Sequence, residues 1–96
     1  MATPIFEKQC DYYAIKRTID DKFLLVLHAK TETFGFDKLT NANIFMIKTH
    51  PTEDEANRFI NSHSDSWWKE HWGVALNELK VVKLNSTITI SVYDNQ

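Results

Sequence analysis

One long stretch near the end of the chain alternates between apolar and polar residues. Between residues 80 and 93, apolar side chains such as Val82 and Leu84 share one parity, and polar ones such as Lys83 share the other. Neighbouring side chains of a β-strand point to opposite faces of its sheet, so this pattern predicts one strand over 80–93. A hairpin turning at Asn85-Ser86 is the alternative, although Asn-Ser is a weaker turn than Asn-Gly. The chain is therefore expected to build a sheet with one apolar and one polar face in this region.

Two further β-rich runs flank a short polar stretch, and they predict a hairpin with strands over 12–18 and 23–30. Alternate residues from Phe23 to Leu27 point to opposite faces of the second strand, and both sets are apolar. Such a strand is typical of the centre of a sheet covered on both sides. It also suits a strand whose second face meets a partner.

The middle of the chain is expected to hold a loop followed by a third strand. Residues 31–43 contain Gly35 and several turn-forming residues without a clear period, so they are interpreted as a loop. Residues 44–49 read Ile-Phe-Met-Ile-Lys-Thr and predict a strand that is again apolar on both faces.

The clearest helix signal begins at Thr52. Thr52 and Glu55 have the spacing of a capping box, in which each side chain bonds the backbone N–H of the other residue. Acidic residues follow Thr52 directly, where the helix dipole favours negative charge. The predicted apolar face of this helix consists of Ala56, Phe59 and Ile60.

A second helix is expected to begin after Ser64 or Asp65. Its apolar stripe has helical spacing and consists of Trp68, Trp72, Ala75, Leu76 and Leu79. Gly73 interrupts this stripe at a cost of about 1 kcal/mol relative to alanine. We favour a helix over 65–78; the alternative is a helix that ends at Trp72, with Gly73 as its cap.

Together these elements predict an α+β fold. The expected architecture is an antiparallel sheet of four to five strands with two consecutive helices packed on one face, in the order ββ-β-αα-β. With 96 residues and no internal linker, the chain is expected to form a single compact domain over 1–96.

Composition limits the function classes. The net charge is −2, with +1 in residues 1–48 and −3 in residues 49–96. Nucleic-acid-binding proteins usually carry a clear basic excess, which this chain lacks. No signal peptide and no membrane-length apolar run is present in the sequence. A soluble protein in the cytoplasm of a bacterial host, without membrane contact, is the expectation.

Chemical motifs point away from catalysis. The sequence lacks a phosphate-binding loop, a nucleophile elbow and metalloprotease spacing. Cys10 is the single cysteine, and His63, Asp65 and His71 do not follow a known zinc spacing. We therefore expect no enzyme activity, no catalytic residue, no metal and no cofactor.

Aromatic residues supply the candidate partner-binding surface. Trp67 lies about 100° from the apolar stripe of its helix and aligns with His71, so it is the tryptophan expected to be half-exposed. Phe34 and Phe36 flank Gly35 in the predicted loop, where they either fold back onto the sheet or face a partner. Large aromatic side chains dominate binding hot spots. An acidic rim is assigned to Glu53, Asp54 and Asp65.

The second half of the chain resembles small accessory proteins of bacteriophages and mobile elements. That pattern has a strand reading Ala-x-x-Phe, a capped helix reading Glu-Ala-x-x-Phe-Ile and a closing strand rich in Val, Leu and Lys. The matching positions are Ala42, Phe45, Glu55, Ala56, Phe59, Ile60, Leu79, Val81 and Val82. The resemblance implies a protein that binds and blocks a host protein, as inhibitors of bacterial immunity, including anti-CRISPR proteins, do.

Three hypotheses follow. The first is a non-enzymatic inhibitor or modulator that binds a host protein or protein–nucleic-acid complex, such as a phage anti-defence protein. The second is a nucleic-acid-binding regulator that stacks bases on aromatic rings. Its candidate residues are Tyr13, Phe34, Phe36, Lys16, Arg17, Lys30 and Lys38. The third is a homodimeric binder of a small ligand such as a nucleotide, because apolar second faces also suit a dimer interface.

Overall fold

A computed structural model describes the backbone of residues 2–93, and all of their side chains except those of residues 2–6, 88, 92 and 93. The fold is α+β, as predicted, with two helices between the fourth and fifth strands. The strands are β1 (Ala2–Arg17), β2 (Lys22–His28), β3 (Thr33–Asp37), β4 (Thr49–His50) and β5 (Leu79–Tyr93). The helices are α1 (Glu53–Asn61) and α2 (Asp65–Trp72), and 3₁₀ turns lie at Ile44–Met46 and Leu76–Glu78.

All strand pairs of the sheet are antiparallel, and β1 is the central strand. β1 pairs with β5 from Ala2↔Tyr93 to Arg17↔Leu79, with a register shift between Pro4 and Phe6. Its other edge pairs with β2 only at two positions, after which β2 continues beside β3.

The segment leading into β4 lies between β1 and β2. Ile47 bridges to Leu25 of β2, and Ala14 of β1 pairs with Thr49 of β4. The short strand β4 therefore continues the sheet where β2 leaves β1.

The two faces of the sheet have different coverings. One face, which we call the helix face, packs against α1 and α2 around Ile15, Leu24 and Ile60. The half-buried residues packed against this core are Phe34, Phe36, Phe59, Leu76, Leu79 and Val81. The helices are joined by the buried indole of Trp68, whose Nε1 donates to the carbonyl oxygen of Ile60 at 3.0 Å.

The opposite face, which we call the open face, carries the second apolar set that the sequence predicted. Register places Leu25 on this face together with Ile47, and Tyr12 together with Leu84. The segment 38–48 folds across part of it, and Leu25 is 1% exposed. The open face is thus covered near β2, whereas Leu84 and Tyr12 remain half-exposed.

Residues 2–11 and 85–93 extend beyond the helices as a two-stranded ribbon, which we call the arm. Most of its described side chains are exposed, among them Glu7, Gln9, Thr87 and Ile90. The arm makes the molecule 61 Å long and only 25 × 24 Å across.

Several predicted boundaries differ from the structure. β1 starts at Ala2 instead of residue 12, because β5 pairs with it along its whole length. The predicted loop contains β3. This strand forms by backbone pairing with β2, although its own sequence shows no clear alternation of apolar and polar residues. The first half of the predicted strand 44–49 is a 3₁₀ turn, Ile44–Met46, and the strand β4 consists only of Thr49 and His50.

The helix caps and the length of the last strand can be compared with their predictions. Of the capping box predicted for α1, the structure shows one half: the Oγ1 of Thr52 accepts from the backbone N–H of Glu55 at 3.1 Å, and the reciprocal bond to the Glu55 side chain is not formed. The preferred long second helix is wrong: α2 ends at Trp72, and Gly73 adopts a left-handed conformation with φ 62°. The single long final strand is confirmed as Leu79–Tyr93.

Candidate functional site: aromatic cluster and open face

Trp67 lies in an aromatic stack on the surface of the helices. The ring of His63 stacks on it with centroids 3.7 Å apart, and the ring of His71 does so at 4.5 Å. The Nδ1 atom of His71 lies 3.0 Å from the carbonyl oxygen of Trp67. Trp67 is half-buried and meets Trp68 edge-on, so the stack flanks the core and stays partly accessible.

Phe34 and Phe36 lie on the helix face and are half-buried. Phe34 contacts Phe59 edge-on at 5.9 Å, and Phe36 contacts Trp72 in the same way at 5.9 Å. The guanidinium of Arg17 lies 4.8 Å above the ring of Phe36. Of the two arrangements considered for these phenylalanines, the structure shows the one that folds back onto the sheet.

The predicted acidic rim divides into two parts. Glu53 and Asp54 are exposed in the first turn of α1. The Asp65 carboxylate is used within the fold, since it accepts from the backbone N–H of Leu76 at 2.8 Å and pairs with Lys69 at 2.9 Å. The Leu76 hydrogen bond and then Lys69 hold the pKa of Asp65 below its usual value.

The most exposed large apolar side chain described is on the open face. Phe45 is 98% exposed, and Ile44 beside it is 46% exposed. The turn that carries them is fixed by Asn43, whose side-chain oxygen accepts from the Thr40 N–H and whose amide donates to the Lys38 carbonyl oxygen. Phe45 is therefore held outward by a hydrogen-bonded turn.

A recess of about 480 Å³ lies between this turn and the β1–β5 pair. Its lining contains no charged residue and consists of Tyr12, Leu39, Ile44, Phe45, Ile47, Thr49, Leu84, Asn85 and Ser86. Its size is that of a small-ligand or side-chain pocket. The absence of cations among these lining residues makes it unsuited to a phosphate group.

Phe45 is not among the binding residues predicted from the sequence, although it lies in the stretch 44–49, which is apolar on both faces. The prediction of an apolar surface in this stretch was correct, but the prediction of a strand was wrong. A strand would have placed Ile44 and Phe45 on opposite sides of the sheet, whereas the 3₁₀ turn exposes both.

A second, more open recess is lined by His50, a residue that is 8% exposed. Neither ring nitrogen has a hydrogen-bond partner among the described residues, although the Tyr13 backbone adjoins the ring. Burial, followed by the charge of Lys48, lowers the pKa of His50. The remaining lining residues are Glu55, Arg58, Phe59 and Ser62.

Two cations of the nucleic-acid hypothesis are engaged in ion pairs. Arg17 pairs with Asp20 at 2.6 Å, and Lys16 pairs with Asp21 at 2.8 Å. The candidate stacking ring of Tyr13 is half-buried, as are Phe34 and Phe36. The other two cations, Lys30 and Lys38, are exposed, so accessible cations and half-buried rings occur together in this hypothesis.

Among the described residues, no cluster of three or more His, Cys, Asp or Glu side chains could hold a metal ion. None of the helices in the described range has the length and apolarity needed to cross a membrane. Comparison with protein-family models, curated proteins and solved structures finds no match to this chain.

Proposed function

We propose that this protein is a non-enzymatic inhibitor or modulator that binds a bacterial host protein through the open face of its sheet. The observation that carries the proposal is the 98% exposure of Phe45 on a fixed turn beside an apolar recess. The backbone turn beside Phe45 is already hydrogen-bonded, so a partner that buries the ring has to order only the torsions of one aromatic side chain. This arrangement is typical of an anchor residue.

The chemistry of the surface supports a partner with an apolar binding surface. The recess lining is uncharged, and Ile44 and Phe45 rise beside it. A complementary partner surface would offer an apolar cleft for the Phe45 ring and an apolar side chain for the recess. The partner would be a host protein of the kind that phage anti-defence proteins block, as the resemblance to phage accessory proteins implies.

Other chemistries have less support. A nucleotide would need cations near its phosphates, and the recess lining supplies none. The aromatic residues assigned to base stacking are half-buried against the helices. The Trp67 stack, with exposed Glu53 and Asp54 elsewhere on the helices, stays a second predicted contact surface for the same function.

The test compares two exposed apolar residues. Phe45→Ser removes the proposed anchor, whereas Ile19→Ser removes a 66% exposed side chain from the β1–β2 turn. Both variants should keep the free energy of unfolding within about 0.5 kcal/mol, because exposed positions contribute little to it. A nuclease-treated pull-down from bacterial lysate identifies the host protein, and titration of that purified protein then measures each dissociation constant.

We expect Phe45→Ser to raise the dissociation constant by about tenfold or more, a loss of about 1.4 kcal/mol, and Ile19→Ser to leave it unchanged. Loss of binding in Trp67→Ala with full binding by Phe45→Ser would move the site to the aromatic stack. Absence of any stoichiometric protein partner would contradict the proposed function.

A further inference from the structure

The outer edge of β5 is a long unpaired strand edge. Within residues 2–93, β5 pairs only with β1, so one side of its 15 residues presents free backbone groups. From Leu84 to Tyr93 the sequence contains no charged residue, no proline and no glycine. Such an edge is a template for pairing with another strand.

The other edge of the arm carries features that block strand pairing. In β1, Pro4 removes a backbone donor and a register shift follows it before Phe6. Exposed Glu7, Lys8 and Asp11 then place charges along the same strand. Proline, bulges and charges are the devices by which proteins protect edges. Within the arm, these features lie in β1 and not in β5, so the β5 edge is the one that can pair with another strand.

The arm also leaves more surface exposed than a single folded chain usually does. The accessible surface is 6921 Å², compared with about 5,700 Å² expected for a compact protein of this mass. The excess of about 1,200 Å² is larger than the roughly 800 Å² that each partner buries in a typical stable interface. A two-stranded ribbon without further cover is marginally stable in water.

We propose that β5 pairs antiparallel with β5 of a second copy of this chain, which joins the two sheets edge to edge. A strand pairing antiparallel with itself is self-complementary about a twofold axis perpendicular to the sheet. That axis places both open faces on the same side of the dimer. This inference goes beyond the proposed function, because it concerns the strand edge and not the Phe45 surface.

Mass and distances together test the pairing. Light scattering on the full chain should give twice the 11.2 kDa chain mass. In a Cys10→Ser background, single spin labels are placed at exposed β5 positions, by Lys80→Cys, Asn85→Cys, Thr87→Cys and Thr89→Cys. In self-pairing strands, the distance between the two labels should change by about 7 Å per residue moved along β5. A monomer at every concentration, or label distances without this progression, would overturn the proposal.

Two charged substitutions distinguish pairing through the β5 edge from pairing through another part of the arm. Gln9 of β1 and Thr87 of β5 are register partners on the same face of the arm, and both are exposed. Thr87→Lys brings like charges onto neighbouring strands of the dimer and should raise its dissociation constant several-fold. Gln9→Lys adds the same charge one strand farther away and should have a smaller effect. Equal weakening by both variants would contradict pairing through the β5 edge.

These experiments remain informative if the host-protein proposal fails, because they need no host protein. Conversely, a monomeric Thr87→Lys variant that still binds a partner through Phe45 would show that the two surfaces act independently. Binding by both surfaces would place two Phe45 anchors on one side of a dimer.

Discussion

His50 links the folding free energy of this protein to pH. Its ring is buried, and its nitrogens lack partners among the described residues. Burial and then the nearby Lys48 charge lower its pKa from 6.5, against smaller opposite effects of the adjoining Tyr13 backbone and of Glu55. As pH falls below 6.5, the unfolded chain takes up a proton at this residue before the folded chain does. The unfolded state then binds more protons, so acid destabilises the fold.

We predict that the free energy of unfolding falls between pH 7 and pH 5 and that His50→Phe reduces this fall. The substitution keeps a ring against Phe59, whose centroid lies 5.5 Å from that of His50. At pH 7 it should leave stability unchanged or raise it by about 1 kcal/mol, since buried polar atoms without partners are costly. Urea unfolding at both pH values measures the effect. An undiminished fall in the variant would assign the pH dependence to other groups.

Asp20 and Asp65 affect stability at a lower pH than His50. Hydrogen bonds from Arg17 and from the Leu76 backbone lower the pKa values of Asp20 and Asp65 respectively. Their stabilising effect is present above pH 3.8 and is lost as pH falls through their lower folded pKa values. This loss therefore begins only below pH 3.8, whereas the effect of His50 begins below pH 6.5.

Three phenylalanines show how far single residues could be assigned from the sequence. The sequence left open whether Phe34 and Phe36 fold back or face a partner, and pairing of β3 with β2 decided for burial. Phe45 was read as a strand residue, but the Asn43 hydrogen bonds make its segment a turn. The β2–β3 pairing is not encoded in the local pattern of either strand, whereas the Asn43 hydrogen bonds span only three and five residues and belong to a local turn signal.

At the scale of elements, the sequence predicted the features that depend on neighbouring residues. The alternation of β5 and the Thr52 cap of α1 were both confirmed. The strand β3 was missed because its pairing with β2 supplies the order that its own sequence lacks. The predicted α2 was too long. Apolar residues at helical spacing continue beyond Gly73, but the helix itself ends at Trp72.

Gly73 provides the sharpest test of an element boundary. It adopts φ 62° and donates from its backbone N–H to Lys69 at 3.0 Å, while Val74 behind it is fully buried. A Cβ at this position would meet no atom within 4 Å, so conformational strain is the only steric cost. We predict that Gly73→Ala lowers the free energy of unfolding by about 1–2 kcal/mol, and that Gly73→Asn lowers it less.

Denaturant unfolding followed by circular dichroism measures this effect, with Ser66→Ala on the exposed side of α2 as a helix control. If Gly73→Ala is as stable as the parent protein, the helix does not end in the left-handed conformation at this residue.

At the scale of the whole molecule, fold class was predictable but shape was not. Hydrophobic periodicity indicates strands, helices and their order, and so α+β. It does not indicate how far two paired strands extend past the core that covers them. The radius of gyration is 16.8 Å, compared with about 12.5 Å for a compact chain of 96 residues. The difference comes from the arm, whose two strands extend beyond the helices and have no second layer packed on them.

This shape predicts that stability depends on protein concentration. If two copies pair through β5 and separate only on unfolding, a tenfold rise in concentration stabilises the dimer by about 1.4 kcal/mol, or about 0.7 kcal/mol per chain. For a chain of this size, that should raise the unfolding temperature by about 3–6 °C. Thr87→Lys should reduce the dependence, whereas Phe45→Ser should preserve it. An unfolding temperature that is independent of concentration would mean that each arm is stable in a single chain.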